Sequence, residues 1–211
     1  MEIQPRPTIV GRIIEVVSGE PYDVFLSKRI FQPLNMIDTG FLLTRERAKR
    51  TCTVYKPGTN PGELAVSFKP DPTIIRTPGP SGGLFSTARD LVSFYQAMLN
   101  GGQYNGVRII SEQSVKLMTQ LHTGDFETGF SPGCGFGLEW GMVREPQEVH
   151  AMLSPGTYGH GGAFGTQGWI DPHQELIFIL LIQRQGFPDG DNSEIRRVFQ
   201  EEAVKHFGKG T

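Results

Sequence analysis

The sequence predicts an α+β fold, and three observations carry that prediction. Apolar residues recur at helical spacing through the N-terminal part of the chain. Short apolar or alternating runs from Phe136 to Gln183 read as strands, the clearest being Leu176 to Ile182. A last amphipathic stretch, Glu194 to Phe207, reads as a closing helix. Helices first, then an antiparallel strand set with a terminal helix, is an α+β order. It divides the chain into a mainly helical region over 1–120 and a sheet region with a C-terminal helix over 121–211.

Each element has its own signal. Thr8 is placed to cap a first helix with Ile9, Val10, Ile13, Ile14 and Val17 on its apolar side, and Gly19 to end it. A second, Glu20 to Ile30, spaces Tyr22, Phe25, Leu26 and Ile30 for one face before Pro33 breaks it. Thr87-Ala88-Arg89-Asp90 resembles a capping box opening Ala88 to Leu99, with Leu91, Phe94, Tyr95 and Met98 inward and Asn100-Gly101-Gly102 as the stop. Ser111 opens Glu112 to Leu121. Phe136 to Val143, Phe164 to Asp171 and Leu176 to Gln183 follow as strands, with Asp171-Pro172-His173-Gln174 as a turn. In the closing helix Ile195, Val198, Phe199, Ala203 and Phe207 form the packing stripe. Glycines and prolines between Pro57 and Gly83 and between Gly124 and Gly168 predict long structured loops.

Composition narrows the function. The 211 residues can bury a sizeable core, and a net charge of -2 without any Lys/Arg block argues against nucleic acid as a partner. The longest apolar run is too short to span a bilayer, and no charged-then-apolar leader opens the chain, so a soluble, unexported protein is expected. Cys52 and Cys134 lack metal spacing and read as buried thiols, with no metal and no cofactor implied.

The most informative stretch is Tyr158-Gly159-His160-Gly161-Gly162-Ala163-Phe164-Gly165, which leads into a hairpin. A glycine-rich, His-bearing strand edge lets a substrate lie close to the backbone, because Gly161 and Gly162 carry no side chain to obstruct it. Peptide N–H groups held on a strand can face the oxyanion of a tetrahedral acyl intermediate. His160, neutral or cationic near neutral pH, can hydrogen-bond a substrate carboxylate or a catalytic network.

Three segments together resemble the serine β-lactamase and penicillin-binding-protein-like family, in its class C β-lactamase, esterase and D-aminopeptidase branch. They are Val10 to Gly19 with Phe31 to Gly40, then Ser81 to Leu91, then Tyr158 to Asp171, in the family's order. The resemblance implies that His160-Gly161-Gly162 stands at the third family motif, Lys-Thr-Gly in class C enzymes and His-Gly-Gly in many relatives. It places Ala163 where the family uses a backbone N–H as an oxyanion donor, with Tyr158, Gly161, Gly162 and Phe164 as substrate-binding neighbours. It implies an acyl substrate (a β-lactam, an ester or a D-amino-acid peptide) and hydrolysis through an acyl-serine.

The sequence departs from the family in what it lacks. It contains no Ser-x-x-Lys, so it offers no family nucleophile; Ser86-Thr87-Ala88-Arg89 and Ser193-Glu194-Ile195-Arg196 put an always-charged arginine where a deprotonatable amine is needed. The second motif, Tyr-x-Asn, is also missing, and Glu2-Ile3-Gln4 occupies its expected place. The expectation is therefore the C-terminal portion of a family member, short of the nucleophile helix and first strands, inactive alone, and driven to a homo-oligomer by uncovered apolar surface around Leu176 to Ile182. The alternatives are a non-enzymatic remnant that binds ligand or oligomerises, and a hydrolase using Ser81 in Gly79-Pro80-Ser81-Gly82-Gly83, with Asp125 and His160 in the chain order of an α/β-hydrolase triad. The flanking prolines make that elbow a loop serine in preference to a strand-to-helix nucleophile. His122-Thr123-Gly124 mimics the third motif but reads as a helix C-cap. Tyr22 and Tyr95 read as core, Tyr55 as a loop residue, Trp140 and Trp169 as packing, and His150 and His173 as solvated loop histidines.

Overall fold

The computed structural model describes residues 5–74, 77–126, 131–187 and 190–209. Helix α1 spans Pro5–Ser18 and begins before Thr8, because proline is tolerated in a first turn whose amides have no helical partner. Gly19 ends it at φ +73, its N–H reaching the Glu15 carbonyl at 2.9 Å. Ile9, Val10, Ile13, Val16 and Val17 are all exposed, so the side expected to pack faces outward. The second predicted helix is composite: α2, Tyr22–Leu26, widens into a π-helical turn over Ser27–Phe31. That turn delivers Phe31 to a small cluster with Leu34, Met36 and Ala97.

One helix and two hairpins stand where no element was predicted. Helix α3, Arg45–Arg50, is capped by Thr44, whose hydroxyl accepts from the Arg47 N–H at 3.2 Å. Strands β1, Val54–Pro57, and β2, Leu64–Phe68, pair as an antiparallel hairpin. Strands β3, Gln103–Tyr104, and β4, Val107–Arg108, close on Asn105 and Gly106 at φ 48 and 79, the two positive angles a two-residue hairpin requires.

Helix α4 covers Ala88–Leu99 as predicted, and Thr87 accepts from the Asp90 N–H at 3.3 Å. Asp90 does not complete a capping box. Its buried carboxylate accepts from the Asp38 N–H at 2.8 Å and the Thr39 hydroxyl at 2.7 Å, tying the preceding segment to α4. Helix α5 is Glu112–Met118, capped by Ser111 and shorter than predicted by one turn.

The core is a five-stranded antiparallel meander in the order β5 (Cys134–Phe136), β6 (Gly141–Val143), β7 (Tyr158–Gly161), β8 (Gln167–Asp171) and β9 (Leu176–Leu180). The single strand predicted over Phe136 to Val143 is instead the β5–β6 hairpin, because Glu139 turns at φ 61 and the Gly137 N–H bonds the Trp140 carbonyl at 2.8 Å. Side chains alternate across this sheet and both faces are covered. Met142, Tyr158 and Ile170 join Met98 of α4, Val115 of α5 and Trp140 on one face. Val143, Trp169 and Phe178 pack on the other against Phe199, Ala203 and Val204 of helix α6, Glu194–Phe207. The expected α6 stripe is therefore half right: Ile195, Val198 and Phe207 are exposed, and Arg196 and Gln200 are buried in their stead. No strand among the described residues pairs with the outer edge of β9.

Candidate functional site

Strand β7 is internal to the sheet, so the motif does not lie on a free strand along its length. It pairs with β8 through all four residues but with β6 only through Tyr158 and Gly159. The His160–Gly161 end therefore runs past its β6 partner, and the edge-like character predicted for it is confined to that end. Beyond it the chain turns tightly, with the Gly162 N–H on the Thr166 carbonyl at 2.8 Å and the Gly165 N–H on the Gly162 carbonyl at 2.9 Å. Ala163 sits exposed within this turn, and among the described residues its N–H donates no hydrogen bond.

His160 is exposed and its Nδ1 lies 2.6 Å from the Gly161 carbonyl. A carbonyl only accepts, so this contact is a hydrogen bond when Nδ1 carries the proton. The ring meets Phe136 edge-on at 6.2 Å. His160 and Gly161 share a small cleft, about 20 Å³ in volume, with Phe136, Trp169, Asp191 and Arg196. The other candidates separate. Tyr158 is 3% exposed and packs at 5.2 Å on Trp140 in the core, where burial pushes its hydroxyl pKa upward. Phe164 turns onto Phe68 of β2 at 5.9 Å.

The glycines have an intramolecular explanation besides access. A Cβ on Gly161 would lie 2.0 Å from Asp191 Oδ1, and one on Gly162 would lie 2.2 Å from Thr166 Oγ1. Nothing in the local pattern of Asp191 and Arg196 marks the half-buried Asp191 or the buried Arg196 as packed against this strand. Arg196 is fully buried; its guanidinium lies 4.1 Å over Trp169 and donates to the Asp191 carbonyl at 2.5 Å. Burial lowers its pKa to about 10, which still leaves it charged at neutral pH.

His150, expected in solvent, is fully buried 2.6 Å from Arg196 Nη2. Burial, then the charge of Arg196, pulls its pKa down to about 3, so it is neutral and accepts from the guanidinium. Its neighbour Cys134 is a buried thiol raised to about 11 by burial, hence unreactive, whereas Cys52 is exposed. Tyr95, half-buried beneath Gly168 and pushed by desolvation to about 12, is no base at neutral pH. Ser81 lies in a turn bridged by Gly79 and Gly82, with no strand described immediately before it, and the Asp125 side chain is fully exposed near Arg144. His122 folds back on the Leu117 carbonyl at 2.8 Å, past the end of α5. Among the described residues no group of three His, Cys, Asp or Glu is arranged to hold a metal, and no helix is long and apolar enough to cross a membrane.

A sequence model of the beta-lactamase family matches residues 7–203. The chain belongs to that family. Protein Rv1367c of Mycobacterium tuberculosis is 31% identical over 83% of the chain and 46% of its own length. An Escherichia coli protein provisionally named as a D-alanyl-D-alanine carboxypeptidase is 28% identical over 91% of the chain and 46% of its own. Among solved structures, EstCE1, a hydrolase with promiscuous acyltransferase activity, superposes with a TM-score of 0.74 at 22% identity, over 93% of this chain and 54% of that one. The fold is thus β-lactamase-like, and the chain spans about half the length of the curated relatives it matches.

Proposed function

We propose that this chain forms one wall of a β-lactamase-like serine acyl-hydrolase site, with His160 and the Ala163 N–H as the groups that meet the acyl centre. The observation that carries this reading is the Ala163 amide, without a hydrogen-bond partner among the described residues, in a turn just beyond the end of β7. A backbone N–H in a tight turn is a preorganised donor for the oxyanion of a tetrahedral intermediate. His160, exposed at the end of β7, can hydrogen-bond a substrate group or the catalytic network through its ring. The nucleophile comes from outside these residues, since no Ser-x-x-Lys occurs in the sequence, and the chain alone runs no covalent acyl transfer. The substrate class is a β-lactam, an ester or a D-amino-acid peptide; the names of the E. coli relative and EstCE1 favour the last two. The division at about residue 120 separates a scaffold from the sheet region that carries the site.

The purified chain is expected neither to open a chromogenic cephalosporin nor to take a covalent fluorescent penicillin label. A stable acyl adduct mapped to any residue of this chain by mass spectrometry would refute the reading, and one on Ser81, abolished by Ser81→Ala, would install that serine as nucleophile. Association is part of the same proposal. The open edge of β9 and the exposed apolar side of α1 favour a homo-oligomer that covers them. A compact monomer in sedimentation at tens of micromolar, binding no dye for exposed apolar surface, would argue against it.

A further inference from the structure

We infer that Asp191, held through its main-chain carbonyl by Arg196, is a positioning residue for the His160–Ala163 segment, acting through a ring of contacts that runs over Arg196, Asp191, Gln167 and Trp169. The inference rests on the acyl-site reading above. The ring closes as follows. Arg196 Nη1 donates to the Asp191 carbonyl at 2.5 Å, and Gln167 Nε2 donates to Asp191 Oδ1 at 3.1 Å. Trp169 Nε1 donates to Gln167 Oε1 at 2.9 Å, and the Trp169 ring stacks under the Arg196 guanidinium at 4.1 Å. Both ends of the Gln167 amide are thereby used, one accepting from an indole and one donating to a carboxylate, so its orientation is fixed.

The ring is centred on Gly161. Gln167 is the β8 partner of Gly161, and the Asp191 carboxylate occupies the space that a Cβ of Gly161 would take. This support matters because the same strand end has lost its β6 neighbour. The β6 ladder described for β7 stops at Gly159, and the turn carrying Ala163 begins just after Gly161. Arg196 is anchored from below by His150 at 2.6 Å and is fully buried, so the N-terminal end of α6 cannot drift without uncovering a charge. Displacing a reacting group by about 1 Å costs roughly a hundredfold in rate, so a ring that fixes this backbone sets how well the Ala163 N–H is aimed.

Amide hydrogen exchange by NMR on the chain itself tests this without requiring turnover. Asp191→Ala should speed exchange of the Gly162 and Gly165 amides at least about tenfold while the β8–β9 amides keep their protection. Asp191→Asn, which retains an acceptor for Gln167 Nε2, should restore wild-type exchange at both amides. Should Asp191→Ala fail to fold, Gln167→Glu sets two carboxylates against each other at nearly unchanged volume and should loosen the same two amides at neutral pH. Unchanged exchange at Gly162 and Gly165 in a folded variant, or a parallel increase throughout the sheet, would overturn the positioning role. Failure of the acyl-hydrolase reading would appear in adduct and turnover assays and leave these exchange rates untouched.

Discussion

Gly161→Ala separates two reasons for a glycine in the motif: room for a substrate, or room for Asp191. The added Cβ would sit 2.0 Å from Asp191 Oδ1 and 2.6 Å from Gln167 Nε2, both far inside contact distance. Both atoms are ends of side chains, but each is tied by the 3.1 Å bond between them, so neither can step aside without breaking it. Overpacking of this kind costs about 1–3 kcal/mol. The Asp191 contact is the closer, and deleting that carboxylate should remove the larger share of the cost. In an Asp191→Ala background Gly161→Ala should therefore cost at least about 1 kcal/mol less than in the wild type, a coupling within the range seen for residues in contact. Urea unfolding followed by tryptophan fluorescence on the four proteins gives the cycle. Equal cost in both backgrounds would refute the packing argument and leave substrate access as the reason for the glycine.

Gly168→Ala should be the harsher change, because its Cβ would meet the Tyr95 Oη at 2.0 Å and the ring carbon bearing it at 2.5 Å; unfolding should show a larger loss than for Gly161→Ala, partly relieved by Tyr95→Phe. His150 gives an acid-sensitive stability. Its folded pKa of about 3 lies below the unfolded value, so its contribution is whole above about pH 6.5 and drains at about 1.4 kcal/mol per pH unit as pH falls toward 3, where His150→Gln should flatten the slope of Tm against pH. Asp171 acts in a lower window. Burial raises its pKa, but hydrogen bonds from Gln174 and Ser154 outweigh this and hold it below 3.8. Its contribution is present above the unfolded pKa and lost as pH falls through the depressed folded one, and Asp171→Ala should cost about 1.5–3 kcal/mol at pH 7 by calorimetry.

How legible each element was depended on whether its cause lay within a few residues. Helix α4 could be read to its ends because Thr87 and Gly101-Gly102 act locally, and α6 likewise has its boundaries where amphipathic spacing puts them. The β3–β4 hairpin carried an equally local signal in Asn105-Gly106, between the two predicted helices and outside any predicted strand. The β1–β2 hairpin had no such signal: Tyr55 bonds the Gln183 carbonyl and the Gln185 N–H, partners more than a hundred positions away.

By itself the sequence determined helices α4 and α6 and the antiparallel strand set, because capping chemistry and periodicity are properties of neighbours along the chain, and its segment order carried the resemblance to the β-lactamase-like family. The tertiary structure alone decided that β7 is internal and pairs with β6 only through Tyr158 and Gly159, that Tyr158 belongs to the core, and that His150 is buried neutral against Arg196. It alone put Asp191 behind Gly161, thirty positions earlier in the chain. The physical reason is the same in each case. Burial and pairing at these positions are set by which distant side chain occupies the opposing volume, and a charged residue on a helix gives no local sign that it will be the one enclosed.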